Sequence, residues 1–188
     1  VCTNAKTYIA RVSERIEKLM EWRLKGYMSP EDPDYAPELD ETPFLNDEEA
    51  SIYHMMVGSL NWLVTLGRFD LAHATSTMAR YSNSPHQGHL HAMKRIFGYT
   101  KNYAKQSIVY DTSMPDFSKY KTTKYDWFRC YGDVQEAMPP NMPKPKGKPV
   151  KMSGFFDASH ASCLLTRRSV TGMILFLNNT PIKWLSKR

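Results

Sequence analysis

Asp157 sits in the stretch GFFDASHAS as the only acid among residues 151–188, which also carry six Lys or Arg. It follows an apolar run and precedes small residues, and two readings fit that placement. A short carboxylate at a strand end serves as a turn residue by accepting backbone N–H groups. It also suits a hard divalent cation, but such a site needs several oxygen ligands converging on the metal, and one carboxylate is not a site. His86, His89 and His91 raise a second metal reading. Their spacing does not place all three on one helical face, and no Cys or acid joins them, so surface or phosphate-facing roles suit them better. Lys94, Arg95, Lys101 and Lys105 lie beside Tyr99 and Tyr103. That mixture is what a surface tracking a nucleic-acid backbone uses, with cations on phosphates and planar side chains against sugar or base. A plain solvated face gives the same pattern. Arg167 and Arg168 open a predicted strand, where they either touch phosphates or solubilise an edge.

The elements that must carry these residues follow from periodicity. Residues 4–25 set Tyr8, Ile9, Val12, Ile16, Leu19 and Met20 at three- and four-residue spacings, which predicts an amphipathic helix. Asn46 followed by Asp47, Glu48 and Glu49 reads as an N-cap with first-turn acids, and Tyr53, Met56, Val57, Leu60 and Leu63 continue a helix over 46–65. Gly67 interrupts the pattern. A second helix is expected over 69–82, and a third after Ser84-Pro85 carries Leu90, Met93, Ile96, Phe97 and Tyr99. The three are expected to pack as a bundle with short turns. Trp62, Trp184, Met56 and Met78 fall on apolar faces and are expected in the core. SIVYD reads as a short strand. From Val150 onward VKMSGFFD, SVTGMILFL and PIKWLS, the last after Asn178-Asn179, predict a three-stranded antiparallel meander.

Between these units the composition shifts. Residues 29–43 hold four prolines and six acids, which exclude a helix or a buried face and predict a linker or surface-hugging loop that packs little and is cut first by protease. Residues 112–149, ending PPNMPKPKGKP, read as a long tether. The net charge of +6 hides a division: residues 29–50 carry nine acids and no Lys or Arg, whereas residues 71–105 carry five bases and no acid. Clustered base is what a polyanion-binding surface needs. The expected class is α+β, divided into 1–28 (an entry helix), 29–45 (an acidic linker), 46–105 (a helical bundle), 106–149 (a strand and tether) and 150–188 (a partial three-stranded antiparallel sheet). No apolar window approaches the roughly 20 residues of a helical membrane span, so no membrane partner is expected. Cys2, Cys130 and Cys163 are odd in number and form no CxxC pair, which indicates neither a zinc knuckle nor a disulfide framework and makes a reducing compartment the default. Beginning at Val1 and stopping after a predicted strand, the sequence reads as a piece of a longer chain.

TYIARVSERIEKL, YHMMVGSLNWLVTLGRFDLAHATSTMARYSNSP, GHLHAMKRIFGYTKNY and FFDASHASCLLTRRSVTGMILFLNNTPIKWLSKR, in that order, resemble the Pol polyprotein of copia-type LTR retrotransposons. The resemblance implies the end of the polymerase palm over 1–28, a reverse transcriptase thumb and connection, and then the first strands of a ribonuclease H-type sheet. It implies that Asp157 is the first metal-ligating, catalytic carboxylate of a partial Mg²⁺ site. Two positions after Asp157, where the family usually has an acid, this chain has Ser159, followed by His160. The implied parent copies RNA into DNA and degrades the RNA of the hybrid, within cytoplasmic virus-like particles. The implied partners are RNA/DNA hybrid or duplex nucleic acid and the remainder of the Pol polyprotein. Lys94, Arg95, Tyr99, Lys101, Lys105, Arg167 and Arg168 would make the nucleic-acid contacts. The piece itself would bind without catalysis; a domesticated nucleic-acid-binding module and a non-functional genomic relic are the alternatives.

Overall fold

The computed structural model describes residues 2–188 apart from 122–124, 127, 135–136, 138 and 145, so those parts of the expected tether, and Val1 of the expected entry segment, lie outside the described residues. The fold is α+β. A short strand β1 (Cys2–Asn4) leads into helix α1 (Lys6–Leu19), then come α2 (Asp47–Thr65), α3 (Ala72–Ala79) and α4 (Gln87–Asn102). Strand β2 (Ser107–Val109) returns antiparallel to β1, with Thr3 opposite Ile108. After a short helix α5 (Phe128–Tyr131), strands β3 (Met152–Ala158), β4 (Thr171–Leu177) and β5 (Thr180–Lys187) form the expected antiparallel meander.

The helices form where apolar side chains recur at helical spacing, and one core unites them. Ile9, Val12 and Ile16 of α1 meet Tyr53, Met56, Leu60 and Leu63 of α2, Ala74 and Met78 of α3, and Leu90, Met93, Ile96 and Phe97 of α4. Each large apolar side chain buried in this way contributes about 1.5–3 kcal/mol. Asn46 caps α2 in a reciprocal capping box: its side chain accepts the Glu49 N–H while Glu49 accepts the Asn46 N–H. Tyr53 donates its buried hydroxyl to the Met78 carbonyl at 2.8 Å, tying α2 to α3. At the end of α2, Gly67 takes φ +110°, and the Ile108 side chain of β2 lies where a Cβ would stand. Only glycine fits both demands.

Two core expectations divide. Met56 and Met78 are buried, but Trp62 is 51% exposed, because it neighbours Leu63 in sequence and so lies about 100° around the helix from the inward stripe. Trp184 is half-buried and joins the sheet to the bundle: its indole N–H donates to the Val64 carbonyl at 2.8 Å, and its ring meets Phe69 at 5.7 Å. A second joint is an ion pair at the α2–α3 corner. Arg68, 4% exposed, clasps Asp70 through Nε at 2.9 Å and Nη2 at 2.8 Å, and Asp70 also accepts the Tyr99 hydroxyl.

The acidic segment is no free linker. Together with residues 25–28 that lead into it, its proline-rich chain hugs α3 and α4 as a strap, held along its length by contacts to both helices. α1 ends at Leu19 rather than near residue 25, since Glu21 adopts φ 51° and the chain turns so that Leu24 N–H reaches the Glu17 carboxylate at 2.8 Å.

Candidate functional site

The strap and the helices beneath it enclose a cleft. At its first end α4 allows the chain close: a Cβ at Gly98 would stand 2.1 Å from the Lys25 carbonyl oxygen, so a side chain there would push the strap away. Asn102 Nδ2 donates to the Tyr27 carbonyl at 3.1 Å. At mid-strap the acids meet the helical bases. Arg95 Nη1 donates to Asp32 at 3.1 Å with its guanidinium 4.8 Å over the Tyr27 ring, and His73 Nδ1 lies 2.9 Å from Glu31. The bond to Glu31 raises the His73 pKa.

The far end is a polar hub around Asp40. Its carboxylate accepts the Tyr35 hydroxyl and the Thr42 N–H, and Thr42 Oγ1 in turn accepts the Gly88 N–H of α4 at 2.8 Å. Burial alone would raise the Asp40 pKa, but the bonds from Thr42 and Tyr35 outweigh it and hold the carboxyl below its usual value. Burial, with the Asp40 bond, pushes the Tyr35 phenol well up. His89 completes the clamp. The His86 backbone N–H donates to its Nδ1 at 2.9 Å, which leaves Nε2 to donate to the Pro37 carbonyl at 2.9 Å, and its ring stacks on Tyr81 at 4.2 Å. That arrangement requires neutral imidazole, and burial lowers the His89 pKa accordingly.

The sheet supplies the third wall through the loop between β3 and β4. Leu164 N–H donates to Glu38 Oε1 at 2.8 Å, which anchors the loop on the strap. Burial favours a higher Glu38 pKa, yet this backbone bond helps bring it below the ordinary carboxylate value. Ser159, Ser162 and the buried Cys163 border the opening, and the Thr166 hydroxyl, 3.2 Å from Cys163 Sγ, holds that thiol below its usual pKa. The enclosed volume is about 600 Å³, with Tyr35, Met78, Ala92 and Ile96 as apolar lining and Arg80 and His91 among the polar. Arg80 donates from Nε to the Thr77 carbonyl at 3.2 Å and lies 5.5 Å over Tyr81. Among the described residues it has no carboxylate within 4 Å, unlike Arg95.

The predicted site residues fall elsewhere or hold other partners. Asp157 lies near the end of β3, opposite Gly172, exposed, with Oδ1 accepting the Ala158 N–H at 2.9 Å. Among the described residues no group of three or more His, Cys, Asp or Glu is arranged to hold a metal, so the donor set does not fit a two-cation Mg²⁺ site. Lys94 sits 4.6 Å over the Trp22 ring, and Lys101 donates to Glu17 at 2.8 Å. Tyr99 is buried, since its ring belongs to the core stripe and its hydroxyl is bound by Asp70, so it offers no stacking face. Lys105 is exposed past the end of α4. Arg167 and Arg168 lie in the loop ahead of β4 rather than opening that strand, because the turn, with Arg167 at φ 54°, runs to residue 170. His86 and His89 serve the hub, while the exposed His91 stacks beside Trp22 at 6.3 Å. Sequence reasoning missed Tyr35, Asp40, Glu38 and Arg80. The available signal was the facing pair of acidic and basic blocks, each able to neutralise the other.

Comparison with known proteins corrects the familial reading. No family model matches the chain, and no solved structure matches it. A secreted RxLR effector protein from Plasmopara viticola is 23% identical over 136 residues, covering 72% of this chain and 72% of that protein. The resemblance to copia-type Pol polyproteins therefore does not stand. With it fall reverse transcription, ribonuclease H activity, transposition, the ribonuclease H label on the sheet, the domesticated-module and relic alternatives, and the cytoplasmic virus-like-particle setting. No helix among the described residues is long and apolar enough to cross a membrane.

Proposed function

We propose that this chain is a protein-binding module whose cleft, between the strap and α3/α4, takes an extended, acid-bearing segment of another protein. The observation that carries this is Arg80: a cation held at the cleft by Thr77 and Tyr81, facing a volume of about 600 Å³, near enough to Glu38 to feel its charge but with no carboxylate within ion-pair distance among the described residues. A guanidinium already fixed by packing loses little freedom when it pairs with a carboxylate, so it is a strong anchor. Tyrosine and arginine together dominate the energetics of protein interfaces, and Tyr27 and Tyr35 stand on the strap wall. The name of the relative supports the reading, since an effector acts by engaging other molecules, and it makes a secreted setting the working one.

The test is selection of binders from a random peptide display library on the purified chain. Selected peptides are expected to carry Asp or Glu beside apolar residues. Arg80→Gln should weaken them by about tenfold or more, the loss of roughly one charge-assisted hydrogen bond. Ala92→Trp, which fills the cleft from α4, should abolish binding. Peptides that bind both variants as well as the parent would overturn the reading.

A further inference from the structure

The free edge of β3 points to a second copy of this chain. β3 borders only β4 in its sheet, and among the described residues no strand pairs with its other side. Two bonds fix which backbone groups face outward. Asn178 N–H donates to the Lys151 carbonyl at 2.7 Å and Ser159 N–H to the Val170 carbonyl at 2.9 Å, so the odd-numbered residues bond to β4. The even-numbered residues Met152, Gly154, Phe156 and Ala158 therefore present their N–H and C=O to the open side. One of these is already occupied: the Ala158 N–H is held by the Asp157 side chain. The strand is regular and largely apolar, with Met152 66% and Phe156 69% exposed; from Met152 to Ala158 it has no bulge, proline or lysine, and its edge charges are Asp157 near one end and Lys151 just before the other.

We infer that two copies join through antiparallel β3–β3 pairing about a two-fold axis at Gly154, making one continuous six-stranded sheet. In this register Gly154 faces its twin, and Met152 and Phe156 exchange backbone bonds with the partner copy's Phe156 and Met152, which also places each Phe ring against a Met side chain. On the other face Asp157 stands directly opposite the Lys151 of the second copy, at both ends of the pairing. Asp157 keeps one oxygen on Ala158 and has the other for that lysine, whose ammonium now lies 4.7 Å over the Phe117 ring. Centring the axis on Phe155 instead would set Asp157 against Ser153 and would need the Ala158 N–H that Asp157 already holds. The charges of this strand are thus complementary to themselves in one register, which an unrelated peptide has no reason to match.

Sedimentation equilibrium of the full chain over a dilution series tests this, with Lys151→Asp, Asp157→Lys and the double exchange. The parent is expected to approach twice the 21.7 kDa of one chain as concentration rises. Each single variant places like charges opposite one another at both symmetric contacts and should shift the equilibrium toward monomer by at least about tenfold, which is about 1.4 kcal/mol. The double exchange should restore the dimer, which a variant that merely misfolds would not do. A parent that stays monomeric throughout, single variants that dimerise as well as the parent, or a double exchange that fails to recover would each overturn the inference.

Discussion

Replacing Asp70 by Asn isolates the ion pair that fixes the α2–α3 corner. Arg68 is almost wholly buried, and Asp70 gives it a two-pronged partner at 2.9 and 2.8 Å while also accepting the Tyr99 hydroxyl at 3.0 Å. Asparagine keeps the shape and one acceptor but removes the charge, leaving Arg68 with the Tyr103 carbonyl at 3.3 Å as its other described acceptor. Removing one partner of a fully buried pair costs about 3–5 kcal/mol. The Asp70 side chain is 26% exposed, so water screens part of the interaction and about 2–3 kcal/mol is expected. For a chain of this size that corresponds to a fall in Tm of about 4–12 °C. Thermal and urea denaturation followed by circular dichroism would measure it. Arg68→Met completes a double-mutant cycle, in which the two changes together should cost at least about 1 kcal/mol less than their sum. A loss below about 0.5 kcal/mol for Asp70→Asn, with additive behaviour in the cycle, would refute the argument that this pair holds the corner.

The His89 clamp predicts a pH dependence. Its folded pKa lies below its unfolded value, so the unfolded chain takes up the proton first; stability is full above about pH 6.5 and is lost as pH falls through the depressed folded value. His73 acts in the opposite sense, stabilising below about pH 6.5 and less so as pH rises through its raised value, but it is half-exposed and its part is the smaller. His89→Gln should flatten the acid limb in urea titrations at a series of pH values, and an unchanged slope would contradict the clamp. Two glycines should respond with opposite sign: Gly98→Ala drives a methyl into the Lys25 carbonyl and should cost about 1–3 kcal/mol. Gly58→Ala meets nothing within 4 Å on the exposed side of α2 and should stabilise by about 0.5–1 kcal/mol. Limited chymotrypsin digestion should cut at the exposed Tyr120 or Phe128 before Tyr35, whose ring the Asp40 hub holds, and first cleavage at Tyr35 would show that the strap is loose.

The helices and the meander were legible because their signals are local. Apolar side chains at Tyr53, Met56, Leu60 and Leu63 repeat with the helical period, and Asn46 with Glu49 spells a capping box within four residues. β1 was not legible: three residues carry no periodicity, and its partner β2 lies about a hundred residues away. The same distance problem hid the cleft. Glu31 and Asp32 find His73 and Arg95 far along the chain, so a segment that looks too acidic and too rich in proline to pack is held by charges it does not contain. Lys94, Arg95 and Lys101 were visible as a basic cluster, but whether a cation faces solvent or an internal acid or ring depends on tertiary placement. Tyr99 was read both as a member of the core stripe and as a ring facing sugar or base; in the fold the ring is buried in the core and its hydroxyl donates to Asp70. Asp157 was singled out by its isolation, and in the fold it stands near the end of β3, opposite Gly172, with Oδ1 accepting the N–H of Ala158.

Chemical-shift mapping of the ¹⁵N-labelled chain with a display-selected, acid-bearing peptide bears most directly on the cleft as a binding site. The expected result is a contiguous set of shifts at Thr77, Arg80, Ala92, Ile96, Tyr27 and Tyr35, with the Arg80 guanidinium Nη–H resonances moving downfield as they pair with the peptide carboxylate while Nε–H keeps the Thr77 carbonyl. Shifts confined to the outer surface around Lys94 and Lys101, or to β3, with Arg80 unmoved, would contradict the account.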